Sequence, residues 1–223
     1  MSKIPVTAVF DIGKTNKKFF LFDQNLNEVY STYTRLEAVP DEDGFPSEPI
    51  LPLREWMLKT FREALKSKEY EIKKLNFSGH GASFVHTNEI GEPVTPLYDY
   101  LKPYPEELLE KFYEENGGKM AFCQKTSSPP LAMLNSGLQI YLLKYAKPEF
   151  FKKVKHCLHL PQYLSLIFTG QLVSDYTSIG CHTGLWDFEK MAYHDWVKRE
   201  GIEPLLPPIL PGNTLLTSKP ELG

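Results

Sequence analysis

Between two short apolar runs near the start of the chain, Asp11 is followed by Gly13, Lys14, Thr15 and Asn16. One turn thus gathers a carboxylate, backbone N–H groups, a hydroxyl, an amide and an ammonium, the donor set that a polyphosphate and its counter-ion require. Gly13 lets the backbone approach a ligand closely, and a carboxylate at the end of a buried strand can hold Mg²⁺ through water, the usual mode for that cation. The same residue types also build an ordinary β-hairpin. The phosphate reading gains from the position of Asp11 directly after Val9 and Phe10, where a charge is costly unless it serves a ligand or a partner. Neither Gly-x-x-x-x-Gly-Lys-Ser/Thr nor Gly-x-Gly-x-x-Gly occurs, which sets aside the Walker loop and the dinucleotide fingerprint.

A second group lies at Gly79-His80-Gly81 and at Tyr98-Asp99-Tyr100. His80 follows an apolar run that reads as a strand, so it should stand at a carboxyl end, where open α/β sheets place ligands. Its imidazole can donate to one hydroxyl and accept from another, with Gly81 clearing space beside it. Asp99 can accept from two vicinal hydroxyls while a tyrosine such as Tyr100 stacks on the apolar face of a sugar. A turn histidine bonded to backbone, and a surface strand around Asp99, fit the same residues.

The elements that must position these groups follow from period. Residues 6–11, 17–22 and 28–36 alternate as three strands of an antiparallel meander. An acidic, proline-bearing loop over 37–52 leads to a helix in which Leu53, Trp56, Met57, Phe61, Ala64 and Leu65 form one stripe. Residues 73–78 return as a strand, giving an α/β arrangement with helices over a mixed sheet. Further on, 83–87 and 156–160 read as strands, and 104–116, 135–146 and 162–168 as helices, the last stopped by Gly170. Alternation places Lys17 and Lys18 on opposite faces, so only one serves the site; Lys14 and Lys17 read as solvated alternatives.

The chain has 223 residues, 42% of them hydrophobic, enough for one large domain. A net charge of −3 argues against a nucleic-acid groove, which needs a basic face. Three widely spaced cysteines, 123, 157 and 181, point to a reduced cytoplasmic protein rather than a disulfide scaffold or zinc site. His156, Cys157 and His159 read as part of a buried strand. The N-terminal segment is neither a signal peptide nor long enough to span a bilayer, so no membrane partner is expected.

Asp-x-Gly-x-Thr-x-x-Lys over 11–18, between two strands, resembles the first phosphate motif of the actin, hexokinase and heat-shock chaperone superfamily. With Leu75-Asn-Phe-Ser-Gly-His-Gly-Ala-Ser-Phe-Val, Gly91-Glu-Pro-Val-Thr-Pro-Leu-Tyr-Asp-Tyr and the run over 160–178, in that order, nearly the whole chain resembles the N-terminal half of the FGGY carbohydrate kinases of the fuculose, rhamnulose and xylulose type. The resemblance implies a ribonuclease H-like, actin/hexokinase-type α/β fold. It implies ATP and Mg²⁺ as cofactors and phosphoryl transfer to a ketose, pentulose or polyol. It assigns Asp11 to the water shell of Mg²⁺ and the γ-phosphate, and Gly13, Lys14, Thr15 and Asn16 to the nucleotide's phosphates. Lys18 stands where related kinases carry a basic residue and would offset charge developing in transfer. His80, Gly81, Asp99 and Tyr100 are implied in the sugar pocket; His80-Gly81 departs from the basic-acidic pair of glycerol-specific members. Gln139 stands where the family carries Lys, so the ion pair of that Lys is absent. Asp175 and Ser178 read as a cap and Trp186 as core.

The resemblance also implies that residues 1–223 form one lobe of a two-lobe kinase, that the general-base aspartate lies beyond Gly223 in a C-terminal lobe, and that the isolated chain does not turn over. A non-catalytic sugar- or nucleotide-binding module and an actin-like scaffold are the other classes this fold admits. Homodimerisation is left open.

Overall fold

The computed structural model describes residues 2–222. Strands β1 (Ile4–Ile12), β2 (Lys17–Phe22) and β3 (Glu28–Thr34) form the antiparallel meander that the alternation predicts. Val6, Ala8, Phe10 and Ile12 of β1, with Phe19 and Leu21 of β2, are buried on one face. The period of two then puts Asp11 on the opposite face, where its side chain is 41% exposed. The buried charge that the flanking apolar residues suggested is thereby avoided.

The segment between residues 37 and 52 is more ordered than an acidic loop. It contains β4 (Val39–Pro40) and β5 (Pro46–Glu48), which join β8 (Leu97–Tyr98) in a three-stranded sheet of order β4-β5-β8. Strands of two or three residues have no period to read. Charge holds them: Lys102 Nζ meets Asp41 and Asp43, and Lys147 Nζ lies 2.7 Å from Glu42 Oε1 and 2.7 Å from Asp43 Oδ2. The two lysines bring the Asp43 carboxyl down to about 2.

Helix α1 (Ile50–Leu65) buries Ile50, Leu53, Met57 and Phe61 against the meander, and Trp56 meets Phe10 edge-on at 5.7 Å. Leu65, expected in the apolar stripe, is exposed at the last turn. The chain then enters β6 (Tyr70–Gly79), parallel to β1 from Ile4↔Tyr70 to Ile12↔Gly79, so the main sheet has the order β3-β2-β1-β6. Helix α6 (Leu160–Thr169) closes this core, with Phe168 5.7 Å from Phe10 and 5.3 Å from Phe77; Gly170 ends it at φ +71°.

A second core surrounds α2 (Glu106–Glu115), α3 (Lys119–Thr126), α4 (Gly137–Ala146) and α8 (Asp195–Arg199). Phe112 sits at its centre, 4.9–5.1 Å from Phe122, Tyr141 and Trp196. Trp186 is buried here too, as expected. Asp175 caps α7 (Tyr176–Ile179), accepting from the backbone N–H groups of Thr177 and Ser178 at 2.8 and 3.1 Å. No helix of the described residues is long and apolar enough to cross a membrane.

The two cores meet at β7 (Phe84–Thr87), antiparallel to β9 (His156–His159). There Cys157 and His159 are fully buried, His86 Nδ1 lies 3.3 Å from Cys157 Sγ, and His159 Nε2 lies 2.8 Å from Ser136 Oγ. Burial pulls His86 down to about 4 and His159 down to about 3. Below the unfolded value of about 6.5 the unfolded chain binds protons that the folded chain refuses. Stability is therefore expected to fall by about 1.4 kcal/mol per pH unit for each histidine as pH drops from about 6.5 toward 4, with no contribution above that range. Urea denaturation at pH 7, 6 and 5 checks this; a flat profile contradicts it.

Candidate active site

The turn over residues 13–16 joins two buried strands and must be both tight and rigid. Gly13 N–H donates to Asn16 O at 3.1 Å, and a Cβ at position 13 would lie 3.2 Å from the same oxygen. The Gly13 N–H is thus used inside the turn, so its contribution is the absence of a side chain rather than a free donor. Arg35 Nε donates to Asn16 Oδ1 at 2.9 Å, which leaves the Asn16 amide nitrogen as the outward donor. Lys14 and Thr15 are exposed at the tip.

Beneath the turn lies the ammonium of Lys17, whose residue is 0% exposed. Its Nζ donates to Gly13 O at 3.0 Å and Lys14 O at 2.9 Å, and pairs with Glu48 Oε2 at 2.8 Å, off hydrogen-bond alignment. Lys17 is therefore not solvated. Alternation sends it into the sheet's buried face, and the turn carbonyls and Glu48 compensate the charge. Lys18 projects from the other face, 43% exposed, with Nζ 3.9 Å from Asp11 Oδ2 across the Asp11↔Lys18 pair. A contact that long leaves the Asp11 carboxylate able to accept other donors.

His80 emerges where β6 ends beside Ile12, and both of its ring nitrogens are buried without a hydrogen-bond partner. His86 and His159 each keep one bonded nitrogen, so His80 is the histidine with the larger unmet capacity. Burial, more than the opposing influence of Glu48, holds its imidazole below the ordinary value and so toward the neutral form. Its ring is 6.0 Å from that of Tyr100. Lys14 Nζ lies 2.7 Å from Asp99 Oδ2 and 4.9 Å from the centre of the Tyr100 ring, while Asp99 Oδ1 accepts from Leu101 N–H at 2.8 Å. A side chain at Gly81 would meet nothing within 4 Å, so the space expected beside His80 is there.

The 13–16 turn and the group of His80, Asp99 and Tyr100, far apart in sequence, thus converge through Lys14, while Asp11 and Lys18 stand on the sheet face opposite Lys17. Lys17, weighed only as an alternative to Lys18 or as a solvated residue, belongs to the same constellation, as does Glu48, which the sequence reading did not single out. Lys17 could have been found from its phase with buried Phe19 and Leu21; Glu48 lay in a segment without period. Lys102, three residues after Asp99, pairs with Asp41 and Asp43. Gln139 is buried and donates to Ala82 O at 2.6 Å and Met133 O at 2.7 Å, so an amide ties the His80 turn to α4 at the position where an ion pair was expected to be missing. A cleft of about 1210 Å³ runs along β6, which pairs only with β1 among the described residues. It reaches Gly79, Gly81 and Ala82, on either side of His80 in sequence.

Removing the ammonium of Lys17 strands two turn carbonyls and one carboxylate. Lys17→Met is expected to cost about 3 kcal/mol in urea denaturation, and Lys17→Met with Glu48→Gln less than the single change. Equal losses for the single and double variants contradict this coupling.

Residues 6–217 match the N-terminal domain of the FGGY family of carbohydrate kinases. Among curated proteins, the rhamnulokinase of Halalkalibacterium halodurans is 24% identical over 79% of this chain and 37% of its own length. The xylulose kinase of Streptomyces coelicolor is 25% identical over 98% of this chain and 45% of its own. Among solved structures, the xylulose kinase of Rhodospirillum rubrum superposes with a TM-score of 0.85 at 15% identity, over 97% of this chain and 45% of that one. The chain spans less than half the length of these relatives.

Proposed function

The chain belongs to the FGGY family of carbohydrate kinases, as its N-terminal domain, and we propose that it binds a neutral ketose, pentulose or polyol beside a magnesium-bound triphosphate for phosphoryl transfer to a sugar hydroxyl. The observation that carries this reading is the convergence of the 13–16 turn with His80, Asp99 and Tyr100 through Lys14.

The residues present fit ATP and Mg²⁺. No group of three or more His, Cys, Asp or Glu among the described residues could cage a metal, whereas Mg²⁺ is commonly held by one or two carboxylates, waters and phosphate. The half-exposed, loosely paired carboxylate of Asp11 suits that mode. The metal, when bound, neutralises charge on the phosphate oxygens. Thr15, the outward amide of Asn16 and Lys14 supply donors to phosphate, and Lys18 supplies a positive charge on the Asp11 face.

Site charges support a neutral substrate. Lys14 is matched by Asp99 and Lys17 by Glu48, and burial keeps His80 toward its neutral form. A substrate carboxylate finds no unmatched cation in this group, while hydroxyls find donors and acceptors at His80 and Asp99. Glu48 is paired with the buried Lys17 and Asp99 is given to the sugar hydroxyls as an acceptor, so neither is assigned the base. As the family resemblance implies, the base is assigned to a C-terminal lobe, and residues 1–223 alone to binding without turnover. That pairing is also what favours the second reading, a binding module that performs no transfer.

Calorimetric titration of the 223-residue chain with ketoses, polyols and aldonates is expected to show binding of a neutral sugar and weaker binding of its aldonate. Asp11→Asn should weaken inorganic triphosphate with Mg²⁺ about tenfold or more while leaving sugar affinity nearly unchanged. Preference for the aldonate, or sugar-dependent ATP consumption by this chain at the kinase-like rate of about 1–100 s⁻¹, contradicts the proposal.

A further inference from the structure

In this structure Lys14 occupies the places that a sugar needs. Its ammonium sits on Asp99 Oδ2, the carboxylate oxygen left open once Oδ1 has accepted from Leu101, and over the face of Tyr100. A sugar that donates to Asp99 and stacks on Tyr100 must displace it. The same residue forms part of the 13–16 turn, directly beside the donors assigned to phosphate.

We propose that Lys14 is a coupling residue shared by the two halves of the site. Without sugar, Lys14 is held by Asp99 and Tyr100; sugar hydroxyls take over Asp99, and the released ammonium turns to the triphosphate. This inference rests on the proposed function and adds an order and a cooperativity to it.

Three features make the exchange physically reasonable. The Lys14 side chain is 39% exposed and that of Asp99 13%, so the pair stands at the edge of solvent, where ion pairs are weak enough to be exchanged. The backbone need not move, because Lys17 Nζ fixes the carbonyls of Gly13 and Lys14 from below. The ammonium that leaves Asp99 therefore swings on four side-chain bonds from a fixed point, and its charge, already matched within the turn's neighbourhood, becomes available only once the sugar has taken its partner. Linkage then requires that sugar and triphosphate favour each other equally in binding.

The test measures both affinities on the 223-residue chain: inorganic triphosphate with Mg²⁺ in the absence and presence of a saturating neutral sugar, and the reverse. In the parent chain each ligand is expected to tighten the other about 5-fold. Lys14→Met should bring that factor to about one while sugar affinity is kept or raised, because a competitor for Asp99 is gone; Lys14→Arg should retain part of the coupling. As a direct readout, the ring-current shift that Tyr100 imposes on the Lys14 side-chain protons should vanish when sugar binds. The proposal is overturned if both ligands bind with no mutual effect, if the factor survives in Lys14→Met, or if the Tyr100 shift persists in the sugar complex. Should triphosphate bind and every sugar fail, the sugar reading itself falls and the coupling with it, a result distinct from uncoupled binding of both.

Discussion

The arrangement depends on one buried ammonium. A lysine at 0% exposure is tolerated only where partners replace water, and Lys17 finds two carbonyls of its own turn and the carboxylate of Glu48. This fixes the backbone of residues 13 and 14, turns their carbonyls inward, and leaves the side chains of Lys14 and Thr15 facing out. It also docks β5 under the tip of the β1–β2 hairpin. Because β5 pairs with β8, the strand that leads directly to Asp99, one charge links the 13–16 turn to the loop that carries Asp99.

Charge is distributed in layers around that link. The Asp41, Glu42 and Asp43 turn is held by Lys102 and Lys147, with Tyr98 OH donating to Glu42 at 2.6 Å, so the short sheet that carries Glu48 and leads to Asp99 is anchored at its far end. Toward the site, Lys14 pairs with Asp99 at the edge of solvent. On the other sheet face, Asp11 and Lys18 are only loosely associated. Tightly compensated charges shape this region, and loosely compensated ones remain open to other partners. His80, with two unbonded ring nitrogens, has the same character among neutral groups.

Much of this was legible in the chain because period reports burial directly. The meander, α1 and α6, the Gly170 stop and the Asp175 cap all have local physical signals. His80 and Asp99 were readable as chemistry, and the family motifs implied that they share a pocket; that Lys14 meets Asp99 and Tyr100 there was not written locally. What escaped had no period or ran against residue type: strands of two or three residues, the buried Lys17, and a Glu48 whose significance depends on a partner 31 positions earlier in the sequence. Asp11 is not the buried charge that its apolar neighbours suggest, since a strand has two faces and apolar neighbours on one do not bury a residue on the other.

The central claim is that the turn over residues 13–16, with Asp11, holds metal and phosphate. Paramagnetic relaxation by Mn²⁺ with inorganic triphosphate tests it most directly on an amide-labelled chain. The amides of Asp11 and residues 13–16 are expected to broaden first, ahead of those of residues 41–43, whose carboxylates are already paired with lysines. Broadening centred on that acidic turn, or none around Asp11, would contradict the account.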